Sequence, residues 1–124
     1  MSSAISNIFK GKTGEDIACN YLKKAGFEII ERNFKTEIGE IDVICAGEGY
    51  LVFVEVKSRL DDKFGNAAEA VNADKQRKIS QVAAQFIAKY RKYSHQMRFD
   101  VIEVYMRDKK LNHIRNAFDS YLRY

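Results

Sequence analysis

The sequence of 124 residues has no proline and no tryptophan, and it has only two cysteines and two histidines. Cys19 and Cys45 are too few for the disulfide framework of a small secreted domain. They form no CxxC pair, and His95 and His113 stand alone, so the pattern excludes the usual structural zinc sites. We therefore expect a protein of the reducing cytoplasm.

Long apolar runs are also missing. No run approaches the roughly 20 residues that a membrane-spanning helix needs. Met1–Lys12 has no long apolar core, so we expect no secretory signal. With 46% hydrophobic and 31% charged residues, the composition is that of a soluble globular protein. We expect residues 1–124 to form one domain, because this length fits one compact core.

Charge of either sign is unevenly distributed along the chain. Met1–Val56 carries 6 Lys and Arg against 9 Asp and Glu, a balance of −3. Lys57–Tyr124 carries 15 against 8, a balance of +7, which gives the net charge of +4. An acidic site in basic surroundings suits a metal ion and a polyanion better than a membrane surface.

Hydrophobic periodicity predicts an α/β protein with the element order αβββαββ. Apolar residues at helical spacing predict helices over Thr13–Ala25, capped by Thr13 and Gly26, and over Ala73–Tyr93. The predicted strands are Phe27–Lys35, Glu40–Ala46, Tyr50–Lys57, Met97–Met106 and Lys110–Ala117. Ala46–Gly49 is a predicted hairpin turn, and Arg59–Asn72 is a predicted loop. A mixed sheet flanked by helices is the natural packing of these elements.

Charged side chains interrupt two of the predicted strands. Because side chains alternate along a strand, Glu55 and Lys57 share one face, and Glu40 and Asp42 share another. The opposite face of the second strand would carry Ile41 and Val43. If Asp42 lies opposite Phe53 or Glu55 in an antiparallel pair, all four charged groups converge on one side of the sheet. A register shifted by one residue would separate them.

Converging carboxylates repel one another and raise their own pKa values, which a divalent cation relieves. Oxygen ligands favour a hard ion such as Mg²⁺ or Mn²⁺, so Asp42, Glu55 and Glu40 are candidate ligands. Glu15, in the first turn of the first helix, is a fourth candidate. Lys57 would hold a water or stabilise charge on a phosphate. In the alternative interpretation, Glu15 favours the helix dipole, Glu40 is solvated, and the remaining three form a surface ion-pair cluster.

Asp42, followed one strand later by Glu55-Val56-Lys57, matches the Asp…Glu-x-Lys core of the PD-(D/E)XK nuclease superfamily. More closely, the chain resembles the YraN family, which is similar to archaeal Holliday-junction resolvases. The matching segments are Gly14–Ala18, Gly39–Ile44, Val52–Arg59, Ala68–Val71, Lys75–Lys78 and Arg98–Val101. Ile41 stands where the superfamily name has proline.

The resemblance implies a restriction-endonuclease-like core in which Asp42 and Glu55 bind metal, Lys57 is the catalytic lysine and Glu15 joins the site. It implies a metal-dependent endonuclease that hydrolyses phosphodiester bonds in DNA, with branched DNA as the expected substrate and a symmetric homodimer to match it. The alternatives are a non-catalytic nucleic-acid-binding or repair-accessory module, and a protein-interaction domain without a nucleic-acid role.

Several polar residues near the predicted site are candidates for phosphate contacts. Arg59 follows the third strand, and Lys75, Gln76 and Arg77 begin the long helix. The alternative for the helix residues is a solvated face. Asp100 lies in the middle of a predicted strand, where we expect a structural role and a pairing with a nearby base.

Overall fold

The computed structural model describes residues 7–59, 71–92 and 95–120. Helix α1 spans Gly14–Lys24 and helix α2 spans Ala73–Tyr90. The strands are β1 (Glu28–Lys35), β2 (Glu40–Gly47), β3 (Tyr50–Arg59), β4 (Met97–Tyr105) and β5 (Lys110–Phe118). These elements confirm the predicted order αβββαββ.

The five strands form one sheet in the order β1-β2-β3-β4-β5. β3 and β4 are parallel and are joined through α2, whereas the other neighbouring pairs are antiparallel. A parallel pair requires such a crossover connection. The mixed sheet of an α/β protein is therefore confirmed, and β3 is its central strand.

The two helices pack on opposite faces of the sheet. On one face, Ile17 and Leu22 of α1 pack with Val52 and Val54 of β3. On the other face, α2 packs against the alternate residues of β3 and its neighbours. The buried cluster on this face joins residues of α2 with residues of β3 and β4: Val82, Ala83 and Phe86 from the helix, and Leu51, Phe53 and Phe99 from the strands. Because both faces of β3 are buried, a charged residue within it needs a partner.

Most predicted bounds agree with the structure to within one residue, but two differ for a physical reason. α2 ends at Tyr90 rather than Tyr93, because Arg91 adopts a left-handed backbone with φ 55° that closes the helix. β3 continues to Arg59, which pairs with Tyr105 of β4, so Arg59 is not in a loop. Residues 60–70 of the predicted loop and Tyr93 lie outside the described residues.

A buried polar network joins β4, β5 and α1 on the far side of the central strand. Asp100, only 1% exposed, accepts hydrogen bonds from Arg98 at 2.9 and 3.0 Å and from the Asn116 backbone at 3.0 Å. His113 Nε2 lies 2.7 Å from Asp100, and His113 Nδ1 lies 2.8 Å from the Tyr21 hydroxyl. The predicted pairing of Asp100 with a base is present. His113, which stands alone in the sequence, is a packed member of this network.

None of the helices in the described part of the chain is long and apolar enough to cross a membrane.

Candidate active site

The β2–β3 hairpin sets Asp42 beside Glu55. Its turn residues, Glu48 and Gly49, have φ values of 55° and 85°, and the last pair before the turn is Gly47 with Tyr50. Positive φ at both central residues gives the twist that a tight hairpin needs. The register pairs Val43 with Val54, the last pair of this ladder, and its continuation by one step corresponds to Asp42 opposite Glu55. This is one of the two registers expected to bring the charged groups together.

Strict alternation fails at the start of β2. Val43 packs on the side of α1, but Ile41 packs on the side of α2, so the prediction that they share a face was wrong. The irregularity has a match on β1, where Asn33 lies between the pairs Arg32–Val43 and Phe34–Ile41 and has a left-handed backbone with φ 54°. The Val56 amide donates to Asp42 Oδ2 at 2.8 Å.

Glu15, Glu40 and Asp42 form an acidic cluster at this end of the sheet. One carboxylate oxygen from each lies within 4.8 Å of the others. α1 reaches the sheet end because Gly14 packs directly on β3. A β-carbon at Gly14 would overlap the Ser58 hydroxyl and lie 3.1 Å from its β-carbon, so a larger residue would require Ser58 to shift.

Two β1 residues hold Glu15 in place. With its amide nitrogen turned toward Glu15, the Asn33 side chain lies 3.1 and 3.2 Å from the two carboxylate oxygens. Arg32 lies 3.9 Å from Glu15 and donates to Asp16 at 2.9 Å. Sequence reasoning missed both residues. The one available signal was an asparagine within a predicted strand, because asparagine tolerates a left-handed backbone.

Glu55 is tied to two lysines. Its Oε1 lies 2.5 Å from the ammonium nitrogen of Lys75 and 3.7 Å from that of Lys57. The Glu55 side chain is only 8% exposed, so its charge is largely removed from water. Lys75 was predicted to contact phosphate, and the structure places it against the central carboxylate instead.

Crowding and burial shift the ionisation of the site. Burial and the nearby Glu55 carboxylate raise the pKa of Asp42 to about 6. Burial and Asp42 raise the pKa of Glu15. Burial and the neighbouring Lys75 lower the pKa of Lys57. The directions for the carboxylates are those expected when acids crowd together without a bound cation.

The other predicted phosphate-binding residues have partners away from the carboxylates. Arg59 donates to the buried carboxylate of Glu103 at 3.0 Å. The Gln76 amide donates to the Val71 carbonyl at 2.7 Å. Arg77 lies 3.7 Å from Asp74 on the same helix. Lys75 differs from these three residues in that its ammonium contacts Glu55, a carboxylate of the site.

Comparison with known proteins now decides the family. The model of the uncharacterised protein family UPF0102 matches residues 14–104. The chain belongs to UPF0102, the YraN family of the restriction-endonuclease-like superfamily.

Its relatives match over nearly their whole length. A UPF0102 protein of Clostridioides difficile is 47% identical, covering 92% of this chain and 100% of the relative. One from Caldanaerobacter subterraneus is 49% identical over 87% and 93% of the two chains. One from Thermodesulfovibrio yellowstonii is 44% identical over 92% and 99%. Family membership thus extends to the elements that carry the carboxylates.

An open cavity of about 470 Å³ gives access to the site in this UPF0102 chain. Glu40, Asp42 and Glu55 lie on its sheet side, and Lys75 and Lys78 lie on its α2 side. The sheet side is therefore acidic, and the α2 side carries two lysines together with Asp74, which pairs with Lys78. Such a division suits a cation and an anionic group bound next to each other.

The residues present fit a divalent cation. The acidic cluster offers three carboxylate oxygens within 4.8 Å of one another, and Glu55 faces the same cavity. Hard oxygen donors with no nitrogen or sulfur among them match Mg²⁺ or Mn²⁺. Burial and Glu55 raise the pKa of Asp42 to about 6. A cation bound beside Asp42 would favour its ionised form and lower that pKa.

Proposed function

We propose that this UPF0102 chain is a metal-dependent nuclease that hydrolyses phosphodiester bonds in DNA with Mg²⁺ or Mn²⁺. One observation carries the proposal. β2, β3 and α1 bring Asp42, Glu55, Lys57 and Glu15 to one end of the sheet, beside an open cavity. A merely structural ion pair has no need of three further carboxylates around it.

Each side chain has a role that follows from its position. Asp42, Glu15 and Glu40 offer oxygen ligands, and Glu55 offers a fourth on the opposite strand. A divalent cation held there would act as a Lewis acid on the phosphate and lower the pKa of an attacking water. Lys57, whose side chain is 27% exposed and whose ammonium lies 3.7 Å from Glu55, would stabilise negative charge that grows on the phosphate.

We assign DNA as the substrate from charge and from family. The second part of the chain, Lys57–Tyr124, carries the excess of basic residues that a polyanion needs. Branched DNA is the proposed structure, cut by a symmetric pair of chains, on the resemblance to junction resolvases. Lys75 faces the site and is the first residue that we assign to a phosphate.

The test is cleavage of labelled duplex, single-stranded and four-way-junction DNA with Mg²⁺ or Mn²⁺. Asp42→Asn removes a ligand charge, and Lys57→Ala removes the ammonium, so each is expected to lower the cleavage rate by at least about 100-fold. The matched controls Asp108→Asn and Lys24→Ala change exposed residues outside the site and are expected to cleave at the wild-type rate.

Two results would contradict the nuclease. Cleavage that survives in both Asp42→Asn and Lys57→Ala would show that another group or a contaminant cuts the DNA. Salt-sensitive DNA binding by all the proteins, with cleavage by none, would favour the non-catalytic accessory module.

A further inference from the structure

Glu55 is a neighbour of Asp42 but does not belong to the acidic cluster of Glu15, Glu40 and Asp42. Within the described residues, the group whose carboxylate oxygens lie within 4.8 Å of one another consists of Glu15, Glu40 and Asp42. Glu55 instead directs one oxygen, Oε1, at both lysines, 2.5 Å from Lys75 and 3.7 Å from Lys57. The carboxylate that belongs to the motif is therefore engaged by protein cations.

The contact between Lys75 and Glu55 is the stronger of the two. A charge-assisted hydrogen bond brings nitrogen and oxygen close together, and the Lys75 ammonium lies 2.5 Å from Glu55 Oε1, whereas the Lys57 ammonium lies 3.7 Å from it. Glu55 is only 8% exposed, so its carboxylate needs a cationic partner when no metal ion is bound. Lys75 supplies the positive charge at a place where a divalent cation would otherwise supply it.

Lys75 is able to leave without disturbing the fold. Its backbone is fixed in the first turn of α2, where its amide donates to Asn72 Oδ1 at 2.9 Å. Its side chain is 38% exposed, and four methylene groups join the ammonium to this fixed backbone. The side chain can therefore swing from Glu55 into the cavity while α2 stays in place.

We infer that Lys75 is an internal counter-ion that competes with the divalent cation for Glu55 and becomes a phosphate ligand once it is displaced. This inference rests on the proposed metal site. Lys75 lines the same cavity as Asp42 and Glu55, so a displaced ammonium remains next to the place of a bound phosphate. The site thereby acquires its phosphate contact only when the carboxylates have another cation.

Competition lowers the apparent affinity for metal by a calculable factor. A ligand that binds only the open state has its affinity reduced by the fraction of molecules in that state. If the Lys75–Glu55 pair is formed in about nine molecules of ten, removal of Lys75 tightens metal binding about tenfold. Removal of another nearby positive charge changes the metal affinity less, because it only weakens the long-range repulsion between that charge and the metal ion.

The experiment measures binding of Mn²⁺ alone, by the electron paramagnetic resonance of the unbound ion, at pH 8 and without DNA. It compares wild type with Lys75→Met and with the matched control Lys78→Met. Lys78 belongs to the same helix and lines the same cavity, but it pairs with Asp74 at 3.4 Å. We expect about tenfold tighter binding in Lys75→Met and less than about a twofold change in Lys78→Met.

A second measurement uses the wild-type protein and needs no substitution. Acylation of lysines, followed by mass spectrometry, is expected to label Lys75 faster when Mn²⁺ is present, because the ammonium has left Glu55. The labelling of Lys78 is expected to stay the same.

The outcomes separate this inference from the proposed function. Wild-type binding of Mn²⁺ with no gain in Lys75→Met, or with an equal gain in Lys78→Met, would overturn the competition but keep the metal site. No binding of Mn²⁺ by any of the folded proteins would overturn the metal site and the competition with it. Circular dichroism establishes that each variant is folded.

Discussion

At the scale of single residues, Asp42 is an acid that the fold keeps at a cost to stability. Burial and Glu55 raise its pKa from 3.8 to about 6. The folded protein therefore binds this proton more tightly than the unfolded chain does. The stabilisation is fully present below about pH 4 and is lost as pH rises through about 6. Because Asp42 lowers the stability of the fold at neutral pH, a role in metal binding or catalysis accounts for it better than a role in packing does.

Asp42→Asn is expected to be more stable than wild type at pH 7.5, by about 2 kcal/mol, because the amide keeps the Val56 contact without the charge. The difference is expected to shrink as pH falls toward 4. Urea denaturation in the presence of a chelator, from pH 4.5 to 8, measures it. Asp108→Asn, at an exposed position, is the control and should show no such trend. A less stable Asp42→Asn at pH 7.5 would contradict the argument.

The sequence predicted which charged residues lie near one another better than it predicted their hydrogen-bond and ion-pair partners. Alternation about the tight β2–β3 turn led us to group Asp42, Glu55 and Lys57, and the short turn keeps them near one another although alternation fails at Ile41. The contact of Lys75 with Glu55 joins a helix to a strand, and nothing local in the sequence fixes it. Arg59 has its partner, Glu103, on a strand 44 residues away, so its assignment to phosphate overlooked a buried acid.

At the scale of elements, the start of α2 positions the lysine of the site. Asn72 is the N-cap of α2, and its side chain accepts the Lys75 amide at 2.9 Å. Asn72→Ala is expected to lower the free energy of unfolding by about 1 kcal/mol, because a cap satisfies an otherwise unpaired amide. Asn72→Ser keeps an oxygen acceptor and should recover most of the loss. Urea denaturation measures both, and equal stabilities of the alanine and serine variants would show that the cap contributes nothing.

The elements themselves were largely predictable, and their irregularities were not. The Glu48–Gly49 turn sets the β2–β3 register through two positive φ angles, a preference that is visible in the sequence. The left-handed backbones of Asn33 and Arg91 arise from tertiary packing and helix closure, and neither residue is a glycine. Asn33 lies on β1 across from the place where the alternation of β2 fails, and Arg91 closes α2.

At the scale of the whole molecule, buried charge occurs in two places with opposite consequences. In the site, burial and the neighbouring Glu55 carboxylate both raise the pKa of Asp42. In the network of β4, β5 and α1, burial alone would raise the pKa of Asp100, but hydrogen bonds from His113 and Arg98 outweigh it and lower the pKa. Sequence reasoning missed His113 because its partner lies 13 residues away across an irregular strand pair.

Replacement of aspartate by asparagine is therefore expected to change the free energy of unfolding in opposite directions at Asp42 and Asp100. Asp100→Asn removes the charge that holds the largely buried guanidinium of Arg98, which is 8% exposed, and is expected to destabilise the protein by about 3 kcal/mol. Asp42→Asn is expected to stabilise it under the same conditions. Urea denaturation of both variants at pH 7.5 measures the pair. If both destabilise equally, Asp42 belongs to the scaffold, because only a carboxylate kept for a cation or a reaction should improve the fold when its charge is removed.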